Sequence, residues 1–177
     1  MQIHPMAQAF VLIEGKEFEE LVASVKKHGL REKITTYEKQ VIDGVNRQRA
    51  CEAAKKTPSY KEWEPPDPFA KPEEIRRELY FFIRDKNCTR RHESVSQRAL
   101  SAATLRDLAG LTLVEAARDF DVSERSVASA AKVVERGVPE VVEAVKKNAI
   151  PVSVGAAISQ LPAAEPSKPP PVQPPQQ

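Results

Sequence analysis

The sequence predicts an α+β fold in which a small domain of short strands and helices precedes an all-helical domain and a disordered tail. Three observations predict it. Runs with strand character, at residues 33–37, 40–42 and 59–63, all fall before the breaker cluster Pro65, Pro66, Pro68. From Pro72 onward apolar residues recur at helical spacing and strand patterns vanish. The last sixteen residues contain seven prolines and no aromatic residue, so they supply neither helix hydrogen bonds nor a buried face. The expected divisions are residues 1–86, 87–161 and 162–177.

The ordered part is expected to begin with a helix over 17–28, where Phe18, Leu21, Val22 and Val25 form an i, i+3, i+4, i+7 stripe and Gly29 follows as a left-handed cap. Lys33-Ile34-Thr35-Thr36-Tyr37, a turn at Glu38-Lys39 and Gln40-Val41-Ile42 read as a short hairpin. A helix over about 45–55 puts Cys51 on its inward side beside Ala50 and Ala53, and residues 59–63 return as a strand. Pro72 suits the first turn of a helix running through 74–85. Ser94-Val95-Ser96-Gln97 offers a capping pattern for a helix reaching about Ala109. Two helices fill 112–135. Another starts at Pro139 with Val138, Val141, Val142 and Val145 in a stripe, and a short one over 153–161 closes the fold.

At 177 residues the chain holds one domain or two small ones sharing a core. Twenty-seven basic against twenty-five acidic residues leave a net charge of +2, too small to indicate nucleic-acid binding by itself. The distribution is more informative: residues 71–106 carry nine basic and five acidic side chains, whereas residues 107–161 carry six and eight. Two cysteines form no disulfide framework, and no apolar stretch approaches the ~20 residues of a membrane span, so a reducing, cytoplasmic setting is expected. Cys88 and His92 are spaced i, i+4, but His4, His28 and Cys51 complete no metal set, and no catalytic constellation emerges.

Three constellations carry chemistry. Ala117, Asp121 and Val127 fall at the spacing of a helix-turn-helix: a small residue where the helices cross, a residue tolerant of left-handed geometry, then a β-branched residue that locks the second helix down. Val122 would plug the turn and Ser123 cap the second helix, whose face would present Arg125, Ser126, Ser129 and Lys132 to a DNA groove. An ordinary antiparallel helix pair is the alternative. This segment is acidic, so phosphate attraction must come from elsewhere. The preceding run, Arg84, Lys86, Arg90, Arg91, His92, Arg98 and Arg106, is either that source or a solvated face with internal ion pairs. Third, Asp43-Gly44-Val45-Asn46-Arg47-Gln48-Arg49-Ala50 is a strand end turning through Gly into a helix. It is either a phosphate cradle or a plain turn with surface arginines.

In order along the chain, His4-Pro5, a helix ending in His28-Gly29-Leu30, the Asp43 to Ala50 turn, Thr89-Arg90-Arg91-His92 followed by Ser96-Gln97-Arg98-Ala99, and Val122-Ser123-Glu124-Arg125-Ser126-Val127 resemble the ParB family. The resemblance is to short ParB-like proteins of plasmids, phages and other mobile elements, over roughly residues 4–161. It implies an N-terminal domain of the ParB and sulfiredoxin fold followed by a helix-turn-helix domain. It also implies nucleotide phosphate binding, as of CTP or another nucleotide with Mg2+, by Gly44, Asn46 and Arg47 together with Asn87, Arg90 and Arg91. Partition ParBs usually have Glu-Arg-Arg where this chain has Val45-Asn46-Arg47, and an acidic residue where it has Lys86, so the carboxylates that would position magnesium are missing. A sulfiredoxin's catalytic cysteine corresponds to Val45.

The expected function is DNA binding in plasmid partition, replication control or transcriptional regulation, modulated by nucleotide. Arg125, Ser126, Ser129 and Lys132 would read bases, with Ser123 at the helix start, while Arg90, Arg91 and Arg98 would hold phosphate. A ParB-like nuclease or nucleotide hydrolase is the alternative. Expected partners are double-stranded DNA, a second copy in a homodimer and a protein recruited by the Pro-rich tail, with the protein on nucleoid or plasmid DNA.

Overall fold

The structure is a computed structural model that describes residues 1–88 and 93–161. The tail expected at 162–177 and the junction Thr89-Arg90-Arg91-His92 lie outside the described residues. The chain runs β1 (Gln2–Ile3), α1 (Pro5–Gln8), α2 (Gly15–His28), β2 (Ile34–Tyr37), β3 (Gln40–Asp43), α3 (Val45–Ala54), β4 (Tyr60–Glu62), α4 (Pro72–Cys88), α5 (Val95–Ala109), α6 (Leu113–Asp119), α7 (Glu124–Arg136), α8 (Pro139–Lys146) and α9 (Val152–Ile158). Among the described residues, the α+β class and the restriction of strands to the N-terminal part therefore hold.

Two elements precede the first expected helix. Gln2–Ile3 pairs in parallel with Gln40 and Val41, and His4 accepts the Met6 N–H on Nδ1 at 3.2 Å to start a four-residue helix. That acceptor role requires a neutral ring, and burial lowers the His4 pKa accordingly. The sheet order is β1-β3-β2-β4. Its centre is the expected hairpin, with Glu38 and Lys39 both left-handed at φ 47° and 62°. β4 joins β2 in parallel, and Thr36 Oγ1 donates to Glu62 Oε2 at 2.6 Å.

α3 lies beside β2 and packs on α2, where Val25, Ala50, Cys51 and Ala54 form a small core with Phe18, Leu21, Val22 and Leu30 around it. The main core is different in extent. It runs from Met6, Phe10 and Ile42 through Leu79, Tyr80 and Ile83 to Leu105, Val127, Val133 and Val145. The boundary expected at 86/87 falls inside α4, and apolar burial is continuous across it. α5 passes through the middle, with Ala99, Leu100, Ala102, Ala103 and Leu105 all buried, and Ser101 Oγ donates to the Ala9 carbonyl at 2.9 Å. Small residues on α5 let α7 approach it closely. Among the described residues, no helix is long and apolar enough to cross a membrane.

Candidate functional site

β3 ends at Asp43 and the chain turns through Gly44, which caps α3 at φ 93° with no side-chain hydrogen bond to the helix start. The first amides of α3 are thus left to whatever lies above them. What lies above is a cleft of about 220 Å³ lined by Phe10 to Ile13, Glu17, the Asp43 to Arg47 turn, Lys86 and Asn87. Gly44, Asn46, Arg47 and Asn87, forty residues apart in sequence, share this cavity.

Each of these side chains has a defined job. Arg47 bridges Glu32 Oε2 at 2.7 Å and Asp43 Oδ2 at 2.9 Å, its side chain only 17% exposed, and its Nε is buried with no hydrogen-bond partner. Asn46 Oδ1 accepts the Ile13 N–H at 3.3 Å and Arg49 Nη1 at 3.1 Å, so it shapes the wall of the cleft. Arg49 also donates to the Ile13 carbonyl at 3.1 Å and lies over the Phe18 ring at 4.5 Å. Asn87 Nδ2 turns back to the Ile83 carbonyl at 2.8 Å. Arg90 and Arg91, expected beside it, lie outside the described residues.

The uncapped helix start, Arg47 and Lys86 suit a phosphate group. A protein-supplied magnesium site does not fit as well. Among the described residues, no three His, Cys, Asp or Glu side chains gather to hold a metal ion, and the Asp43 carboxylate is taken by Arg47. Thiol chemistry finds no support either: burial pushes Cys88 up to about 11 and raises Cys51 as well. The strap at 10–13 escaped sequence reading, since an apolar run between helices has no signature of a cleft wall. Lys86 was visible in the basic run, but its place on the cleft was not.

The second site is the α6–α7 pair. Thr112 and Glu115 close a capping box on α6. Asp121 is left-handed at φ 51°, the Val122 N–H donates to the Ala117 carbonyl at 3.0 Å, and Ser123 Oγ accepts the Ser126 N–H at 3.1 Å to start α7. Ala117 and Val127 are buried at the crossing. Arg125 and Lys132 are exposed on α7, with Ser126 and Ser129 half-buried between them and Ser126 Oγ bonded to Ser123 Oγ at 2.8 Å.

The basic run is where the structure departs most from expectation. Arg98, expected on phosphate, donates instead to the carbonyls of Phe120 at 3.0 Å, Asp121 at 3.0 Å and Glu93 at 3.2 Å. The reason is its place on the first turn of α5, next to the end of α6, where carbonyls lack helix partners. Arg84 reaches Asp119 Oδ2 at 3.3 Å and Asp85 at 2.7 Å, and Arg77 pairs with Glu115. Asp119 also accepts the Tyr80 hydroxyl at 2.9 Å. Burial and that carboxylate together raise the Tyr80 pKa. Glu115 and Asp119 of α6 are thereby paired with arginines of α4, and the exposed Asp121 carboxylate lies 3.6 Å from Arg98 of α5.

No family model matches this sequence. No curated protein matches it either. Among solved structures, the chain is similar to the C-terminally truncated chromosome-partitioning protein ParB from Caulobacter crescentus complexed with CTP-gamma-S, at 20% identity over 84% of this chain and 82% of that chain, with a TM-score of 0.35. A likeness that weak carries no argument about function.

Proposed function

We propose that the chain is a DNA-binding ParB-like protein of a mobile element, acting in plasmid partition, replication control or transcriptional regulation, with α7 as the recognition helix. The observation that supports this best is the turn between α6 and α7. Its left-handed Asp121, the Val122 plug and the Ser123 cap follow the spacing a DNA-reading turn requires, and Arg125 and Lys132 stand exposed on the helix that follows. Arg125, Ser129 and Lys132 contact the groove, with Ser126 and Ser123 at the helix start. The pairing of Glu115, Asp119 and Asp121 with arginines lessens the repulsion that the acidic segment would otherwise oppose to phosphate.

The cleft at Gly44 takes the phosphates of a nucleotide, CTP in keeping with the sequence resemblance, between the start of α3, Arg47 and Lys86. Arg90 and Arg91 hold phosphate of the DNA or of the nucleotide in the same reading. The nucleotide supplies no chemistry in this reading; it biases DNA binding. The protein works on nucleoid or plasmid DNA in the cytoplasm, as a homodimer on a two-fold site, and its tail offers a Pro-rich ligand to a protein partner.

Binding to a selected pool of DNA fragments across a salt titration tests the reading. Arg125→Ala is expected to relax discrimination at one base position by about 1–3 kcal/mol, and Arg91→Ala to lower the salt slope by about 1. Titrating CTP and ATP with and without DNA reads the cleft. Absence of any selected sequence, with affinity insensitive to salt, would overturn DNA binding.

A further inference from the structure

Three consecutive polar side chains on the first turn of α5 each leave their own helix and end on a terminus of another. Ser96 Oγ accepts the Val152 N–H at 3.1 Å, at the first residue of α9, whose cap residue Pro151 makes no side-chain bond. Gln97 Oε1 accepts the Ser94 N–H at 2.9 Å, and its Nε2 donates to the Lys146 carbonyl at 2.7 Å, on the last residue of α8. Arg98 takes the other side. Its Nε and Nη2 donate to Phe120, the C-cap of α6, and to left-handed Asp121, while Nη1 reaches Glu93 just before α5.

The chemistry of these positions is that of helix ends. The last carbonyls of a helix have no partner within it and carry the negative end of its dipole, so cationic or amide donors are favoured there, and the first amides want an acceptor. A planar guanidinium can satisfy carbonyls on both its edges at once, which an ammonium cannot. Three of the five Arg98 donors being used on backbone, little of that fork remains to face phosphate. α8 and α9 in turn pack against α7, with Val145, Val152 and Ala156 in the same core as Val127, Ala130 and Val133.

We propose that Ser96-Gln97-Arg98 is the positioning element of the helix-turn-helix. Arg98 sets the turn between α6 and α7, while Gln97 and Ser96 fix α8 and α9 behind α7, so the angle of the recognition helix is determined from the first turn of α5. The functional half of this inference rests on the reading of α7 as a DNA-recognition helix; the structural half does not.

Arg98→Met keeps the apolar stem and removes every donor. Arg98→Lys keeps the charge but offers one compact head in place of the fork. Two backbone amides report the turn directly: Val122 N–H, bonded to Ala117, and Asp121 N–H, bonded to the Arg118 carbonyl at 3.2 Å. In amide hydrogen exchange both are expected to exchange about 10-fold faster or more in Arg98→Met and by an intermediate factor in Arg98→Lys, with α2 and α3 unaffected. On the selected DNA, affinity is expected to fall about 10- to 100-fold in Arg98→Met while the slope of log K against log salt stays at its wild-type value. A slope reduced by about 1, or full affinity in Arg98→Lys, would make Arg98 a phosphate contact and overturn the proposal. Unchanged exchange at the turn would overturn it as well. Failure of the wild-type protein to select any DNA would sink the helix-turn-helix reading instead, and the exchange measurement would then decide the role of Arg98 alone.

Discussion

Replacing Gly44 by Ala probes the cleft where its geometry is tightest. At φ 93° a Cβ costs roughly 1–2 kcal/mol, because it crowds the following carbonyl. The added carbon would also lie 2.9 Å from Arg47 Nη2 and 3.0 Å from Nε. A free arginine tip would swing aside, but Asp43 and Glu32 hold this one at 2.9 and 2.7 Å. Weakening the Asp43 contact, whose carboxylate is 11% exposed, adds about 1 kcal/mol; the more exposed Glu32 contributes little. The sum, about 2–3 kcal/mol, corresponds to a Tm lowered by about 4–12 °C for a chain of this size. Gly110→Ala is the matched control: it is left-handed as well, at φ 68° and ψ 37°, so the backbone cost is similar, yet nothing lies within 4 Å of the new Cβ. Urea and thermal unfolding of both variants, with CTP titrations, separate the two contributions. Gly44→Ala should be the less stable by about 1 kcal/mol, and it alone should lose nucleotide affinity. Equal stabilities with wild-type nucleotide affinity in Gly44→Ala would refute the cleft geometry and its proposed ligand together.

Tyr80→Phe removes a hydroxyl from a fully buried ring and leaves Asp119, 9% exposed, with Arg84 and Arg118; urea unfolding should show a loss of about 1–2 kcal/mol, and a neutral result would mean the hydroxyl does not tie α4 to α6. The Glu115 carboxyl is lowered from 4.5 to about 2 by the Thr112 N–H and hydroxyl and then by Arg77. Because its folded pKa lies below the unfolded one, its stabilisation is complete above about 4.5 and lost as the pH falls toward 2. Glu115→Gln should therefore flatten the acid limb of a Tm-against-pH curve between those values, and an unaltered limb would remove Glu115 as its cause. In the hairpin, Glu38→Asn with Lys39→Gly relieves two left-handed residues at φ 47° and 62°, so chemical denaturation should show a gain of about 1–2 kcal/mol, and a destabilised hairpin would contradict the turn geometry.

The distribution of charge takes on a different meaning in the folded chain. Residues 71–106 hold nine basic and five acidic side chains, which in sequence looks like a phosphate-seeking patch. Folded, Arg77, Arg84 and Arg98 face Glu115, Asp119 and Asp121, and Arg106 pairs with Asp107. The excess at one segment and the deficit at the next largely cancel across the α4–α6 and α5–α6 contacts. Among the described residues, the cations left for a ligand include Lys86 on the cleft and Arg125 and Lys132 on α7.

Residues within one or two helical turns of each other were legible from the sequence: the caps at Ser94 and Ser123, the left-handed Asp121 and the Glu38-Lys39 turn each depend on local backbone geometry that neighbouring side chains dictate. The Gly44 turn was legible for the same reason. Parallel strand partners were not, because β1 meets β3 and β4 meets β2 across more than twenty residues and nothing local marks the pairing. Nor was the work of Arg98, whose acceptors lie 22 and 23 residues away. An arginine reads the same in a sequence whether it will meet a phosphate or a carbonyl. Only the folded backbone, by bringing the end of α6 beside the first turn of α5, decided which of those acceptors was within reach, since a hydrogen bond is set by distance and direction and not by residue type alone.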